Sequence, residues 1–209
     1  MWEAETSQEK KQAEKDLQER NAELEPIMKA DWELNTSMAR LNLRRKGGRK
    51  PIWRWGRKTG KLVRRKDGAG VDWYRYQTRV LIPKLIPFAQ ECQQQRPGTI
   101  VQEDNTPSHA HFSQETVFSA AKVSRLLWPG NSPDLNMIEP CWAYMKRQVS
   151  KKGAPTSRDA AKKAWLKIWK DLEQWRIQRW IGRIPFHIQE VIRLEGGNEY
   201  KEGRGREQE

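Results

Sequence analysis

The sequence predicts an α/β fold, an incomplete sheet flanked by helices and approached through a long N-terminal helical arm. Three observations carry that prediction. Two strand-like runs, TIVQED at 99–104 and VSRLLW at 123–128, enclose a helical stretch at 112–122, the alternation that lays parallel strands side by side. Residues 1–45 are rich in good helix formers, with a thin stripe of Leu17, Leu24 and Met28 and Pro26 alone to interrupt it. Hydrophobic residues make up 36% of the 209 and charged ones 32%, which is lean, so one modest core with solvated appendages is expected. Eleven tryptophans offset part of that leanness, because each buries a large apolar area.

Charge divides the chain further. Residues 1–40 hold six Lys/Arg and ten Asp/Glu, a net of −4, whereas residues 41–70 hold twelve Lys/Arg against Asp67 and carry +11. The rest adds +6, for a total of +13. The predicted organisation is a charged helical arm at 1–45, a basic, glycine-punctuated linker at 46–70 expected to be mobile, a catalytic-type domain at 71–194, and a disordered tail at 195–209. A concentrated basic block fits an anionic polymer. Its candidate nucleic-acid contacts are Arg44, Arg45, Lys46, Arg49, Lys50, Arg64, Arg65 and Lys66. A solvated linker or a nuclear-localisation-like tract has the same composition.

Order is expected to resume at GVDWYRY, where Asp72 caps a helix and Val71 and Tyr76 are placed as a hydrophobic staple. Pro83 and Pro87 must kink or interrupt that helix, and RPG at 96–98 stops it. In WPGNSPDLNMIEPCW, 128–142, Pro129-Gly130 turns the chain, Ser132 serves as N-cap, Pro133 suits the first helical position and Asp134 favours the positive end of the dipole. Leu135, Ile138, Trp142, Met145 and Val149 then recur at steps of three and four and line one face. A helix at 157–180 carrying Trp165, Trp169 and Trp175 follows, with a shorter one after Pro185; its aromatic stripe reads as core.

Two carboxylates stand out. Asp104 ends a strand candidate, and Glu139 lies on the helix just described, one turn beyond Asn136. Carboxylates at the ends of buried elements suit hard divalent cations, which take oxygen ligands and flank the attacking and leaving oxygens in phosphoryl transfer. An Asp after a strand also serves commonly as a turn residue, so the pair alone does not decide the matter.

The motifs around that pair are more specific. VQEDNTPSH at 101–109, followed by WPGNSPDLNMIEPCWAYMKR at 128–147, resembles the catalytic domain of mariner-type transposases, the DDE superfamily endonucleases. Asp104 matches the family's second catalytic aspartate, with Asn105, Pro107 and His109 around it. Glu139 matches the third carboxylate, in a Ser-Pro-Asp-Leu-Asn-x-Ile-Glu setting that includes Asn136. Thirty-four residues, 105–138, separate the two, the spacing of one branch of that family. WEAET near the start is similar to a segment of some fungal members. The resemblance implies a partial RNase H-like fold, DNA as partner and substrate, and Mg²⁺ or Mn²⁺ held by Asp104 and Glu139. His109 would help to position the site or act as a hydrogen-bonded structural residue, and Asp134 and Asn136 would cap and fix the loop.

The family pattern also requires a first aspartate on an upstream strand, and the chain opens at Met1-Trp2 without one. Asp31 and Asp72 are poor substitutes, one inside a helical pattern and the other a cap. The expectation is therefore a truncated, inactive transposase-derived domain. The alternative is a non-catalytic DNA- or RNA-binding protein working through residues 44–66. Cys92 and Cys141 are too few for a disulfide framework, and no window is apolar enough for a signal peptide or a membrane span, so an intracellular protein, nuclear or cytoplasmic, is expected. Self-association is left open.

Overall fold

The computed structural model describes residues 4–42, 51–65, 70–128, 132–151 and 153–196. The chain divides into two compact units between Tyr76 and Gln77.

The first unit is built on α1, Ser7–Asn42, which runs through Pro26. A capping box starts it: Thr6 N–H donates to Glu9 at 2.8 Å, and Glu9 N–H returns a bond to Thr6 Oγ1 at 3.2 Å. On its solvent face charges alternate and pair one turn apart, as in Lys15–Glu19 and Lys29–Glu33. Its apolar stripe is covered. Ala13, Leu62, Trp73 and Tyr74 form a buried cluster on which Leu17 and Leu24 pack.

That cluster corrects the expectation of a mobile linker for the described residues 51–65. Residues 51–65 lie on α1 through the buried Leu62 and include a 3-10 turn at Arg57–Thr59. Gly60 closes the turn with φ +99°, a left-handed conformation that calls for glycine, while a Cβ there would meet the movable end of Met28, 2.5 Å away at Cε. Trp32, Trp53 and Trp55 stack in series at 5.6 and 6.0 Å. Arg64 donates to Asp72 at 2.7 Å and to Glu5, of the WEAET segment, at 2.8 Å. The two carboxylates hold its guanidinium above its ordinary pKa, although burial works the other way. A linker with tryptophans to bury and an arginine matched by two acids packs in spite of its charge. The boundary moves accordingly, from the expected 70/71 to 76/77. Arg44, Arg45, Lys46, Arg49, Lys50 and Lys66 lie outside the described residues, as does the tail from 197 onward.

Asp72 caps α2, Trp73–Tyr76, as expected, its Oδ1 accepting Arg75 N–H at 2.8 Å. The chain continues as a π-helix, Gln77–Leu85, and then as α3, Ile86–Gln95. Pro83 has no N–H to give to an i−4 carbonyl, and Pro87 occupies the first turn of α3, where none is needed. The prolines change the helical register without ending the helix.

In the second unit the anticipated sheet is reduced to a parallel bridge between Val101 and Arg125. Val101 N–H donates to Ser124 O at 2.9 Å, and Leu126 N–H donates to Val101 O at 2.8 Å. The two runs are thus parallel neighbours, but among the described residues no further bridge joins either one and no strand forms. A ladder needs successive partners, and Asn105 at φ +57° turns the first run away after Asp104. Helix α4, Phe112–Ala120, connects the runs and buries Phe118 and Gln114.

The helix bearing Glu139 is α5, Ile138–Ser150, with Cys141 and the fully buried Met145 on its inner face. Two expectations about helix limits change. Ser132 heads a separate 3-10 turn, Pro133–Leu135, rather than α5, and makes no side-chain cap bond. The long aromatic helix is two, α6 at Arg158–Lys170 and α7 at Gln174–Arg193, with Pro185 inside the second. Ser157 caps α6 through Ala160 N–H at 3.1 Å. Trp142 of α5 lies 5.7 Å from Trp165 and 6.1 Å from Trp169, so the tryptophan stripe of α6 packs against α5, but α6 buries no residue and Trp169 and Trp175 are about half exposed, which makes the stripe a half-covered face rather than the core expected.

Candidate functional site

Asp104 ends the first extended run and opens a tight loop. Its Oδ1 accepts Thr106 N–H at 3.1 Å, and His109 Nδ1 lies 2.7 Å from the same oxygen. An ionised carboxylate only accepts, so His109 presents its Nδ1–H tautomer. The loop closes on itself through His109 N–H and Ala110 N–H, both donating to Thr106 O at 2.8 Å. Partial burial alone would raise the Asp104 pKa, but the Thr106 amide and the neighbouring His109 outweigh it and hold the carboxyl below its ordinary value. Asp104 is therefore a carboxylate at neutral pH, with its side chain 39% exposed.

Sequence reasoning missed the residues that brace this loop. Arg125 donates to Glu103 and to the His109 carbonyl, both at 3.3 Å, and pairs with Glu115 at 3.4 Å. Its guanidinium lies over the Phe118 ring at 5.2 Å. The available signal was an arginine inside an apolar run, opposite a buried glutamate in the neighbouring run. Gln114, wholly buried, donates to Ser108 O at 2.9 Å and accepts from Gln77 at 3.1 Å, tying the loop to the π-helix. Asn105 donates through Nδ2 to the Trp128 carbonyl. That bond fastens the Asp104 loop to the start of the segment leading toward Glu139.

Glu139 sits in the first turn of α5 and is exposed. Asn136 bonds to the start of α5: its carbonyl accepts Glu139 N–H at 3.0 Å and its Oδ1 accepts Ile138 N–H at 3.4 Å. A cleft beside Asn136 is lined by Met137, Pro140, Trp180, Arg183, Ile184 and His187. His187 is buried there on α7, a placement without a sequence signal. The structure thus brings Asp104, Asn105 and His109 into one braced loop, and Asn136 and Glu139 into one helix start. Among the described residues no group of three or more His, Cys, Asp or Glu side chains is arranged to hold a metal ion. Of the basic candidates, Arg65 is exposed, whereas Arg64 would have to leave Glu5 and Asp72 to meet a phosphate. No helix among the described residues is long and apolar enough to cross a membrane.

Comparison with known proteins agrees with the motifs. The family model for the DDE superfamily endonuclease matches residues 76–162, beginning where the second compact unit begins. The chain is 29% identical over 151 residues to the transposable element Tc1 transposase of Caenorhabditis elegans, covering 72% of this chain and 54% of that protein. It is 33% identical over 98 residues to the Tcb1 transposase of Caenorhabditis briggsae, covering 46% of this chain and 35% of the relative. With the Tc3 transposase of Caenorhabditis elegans it shares 32% identity over 97 residues, 46% of this chain and 29% of the relative. The chain therefore spans about half, or less, of the length of these relatives. Both carboxylate motifs thus lie in a segment, residues 76–162, that matches the DDE superfamily endonuclease family and is similar to transposases.

Proposed function

We propose that this chain is a DNA-directed, transposase-derived endonuclease domain of partial RNase H-like fold, with Asp104 and Glu139 as its metal-binding carboxylates. The observation that carries the reading is the Asp104 loop. A carboxylate held ionised, partly exposed and braced by His109, Thr106 and Arg125 is a hard oxygen donor of the kind Mg²⁺ or Mn²⁺ selects. Glu139, exposed in the first turn of α5, is the second oxygen donor. When bound, the cation supplies Lewis-acid charge for phosphoryl transfer.

The residues of the chain do the positioning. His109 occupies Oδ1 of Asp104 and so fixes the orientation of the carboxyl group. Asn136 holds the backbone of Glu139, and Asn105 anchors the loop to residue 128. Asp104 and Glu139 alone would bind the cation weakly and support at most marginal cutting of DNA, because this chemistry uses three carboxylates in the family.

Calorimetric titration with Mn²⁺ tests the site, and a supercoiled-plasmid nicking assay tests turnover. Weak Mn²⁺ binding lost in both Asp104→Asn and Glu139→Gln supports the assignment. Binding unchanged by either substitution overturns it. Robust nicking that Glu139→Gln abolishes would overturn only the expectation of marginal activity.

A further inference from the structure

Helix α6 carries five cationic residues and one anionic one in thirteen positions, and its last eight positions lie beyond the segment matched to the endonuclease family. Lys162, Lys163, Lys167 and Lys170 are all exposed, and at about 100° per residue they fall within an arc of roughly 140°. Leu166, 57% exposed, sits among them. None of the four makes an ion pair or hydrogen bond through its side chain among the described residues. Asp159, one turn before Lys163, does not reach it.

The contrast with α1 is informative. There, lysines of a solvated face meet glutamates one turn on. In α6, Lys163 and Lys167, and Lys167 and Lys170, place like charge at the spacings where side chains meet, which weakens a helix. Beside the lysine face, Trp165 and Trp169 pack on Trp142, with Trp169 still 48% exposed. The four lysines form a band of charge about 12 Å long. Duplex DNA presents one negative charge per roughly 1.7 Å of axis, several within that length.

We propose that the Lys162–Lys163–Lys167–Lys170 face of α6 is a docking surface for the phosphate backbone of duplex DNA. The proposal rests on the reading of the domain as DNA-directed and adds the place where DNA is held. It assigns these lysines to grip without sequence preference, separate from the carboxylates.

The test is duplex binding by the full 209-residue chain in EDTA, over a range of salt, which keeps metal binding out of the measurement. Each phosphate neutralised contributes about −0.9 to the log–log salt slope. The wild-type chain should bind with a steep slope. The quadruple Lys→Gln variant should lose about 3.6 units of it and at least tenfold in affinity at low salt, and the quadruple Lys→Arg variant should retain both. Wild-type binding with a slope unchanged by Lys→Gln overturns the surface alone. Absence of wild-type binding overturns both the surface and the DNA reading. Binding to anionic vesicles in preference to duplex overturns the choice of partner. Matching circular dichroism of wild type and variants excludes loss of fold as the cause.

Discussion

Asn21 and Leu62, forty-one positions apart, exchange two hydrogen bonds: Asn21 Nδ2 donates to the Leu62 carbonyl at 2.9 Å, and Asn21 Oδ1 accepts Leu62 N–H at 2.8 Å. One side-chain amide thus satisfies both polar groups of a buried residue's backbone, as a strand neighbour would. Asn21→Ala strands both groups partly buried, at a cost of about 1–3 kcal/mol. Urea unfolding should show that loss, and protease cleavage should appear first within 51–65. Asn21→Asp keeps the acceptor and should fall between the two.

His109→Ala removes the partner that orients Asp104 without touching either proposed ligand. Mn²⁺ affinity should drop roughly tenfold to a hundredfold, as it does when ligand-orienting neighbours are lost elsewhere. His109→Gln, which keeps a donor, should lose less. Equal affinity in all three proteins would limit His109 to a structural role.

Tyr74 donates its hydroxyl to Asp16 at 2.5 Å. Burial first, and then that bond, push its pKa up from 10.0 to about 12. A folded-state value above the unfolded one means that the stabilisation is fully present below about pH 10 and is lost as pH rises toward 12. Tyrosinate absorbance should show one late-ionising tyrosine, absent in Tyr74→Phe. The alkaline unfolding of that variant should lose its steepest portion over the same interval.

Burial also pushes the Cys141 thiol above its ordinary pKa, whereas Cys92 is half-buried. Iodoacetamide should label Cys92 first, with Cys141 reacting only as the second unit opens. Met145 has no exposed surface in the same core, so Met145→Ala should cost about 2–5 kcal/mol and bring forward the labelling of Cys141.

What was legible in the sequence was mostly short-range. Asp72 caps its helix because an N-cap speaks to an amide two or three residues away. The carboxylate motifs were legible for a similar reason, since Asp104, Thr106 and His109 complete one loop within six residues. Ser132 misled because Ser-Pro-Asp heads a 3-10 turn as readily as an α-helix, and Asn136 proved to be the residue bonded to the start of α5. The break between α6 and α7 was hidden by an aromatic period that runs on through Leu172 and Trp175. Arg64 could not be read at all. Its partners lie eight and fifty-nine positions away, and nothing local separates a structural arginine from a phosphate contact.

The lone bridge between Val101 and Arg125 bears on handling the protein. Beside it Ile100, Leu126 and Leu127 stand in water, Leu127 at 95% exposure, on backbone that pairs along one side only among the described residues. Such a rim adheres to its own kind. A net charge of +13 keeps copies apart in dilute buffer, but physiological salt shortens that repulsion to about 8 Å. The high ionic strength used to strip nucleic acid from a cationic protein will thus also favour its precipitation, and stocks should keep best cold, dilute and low in salt.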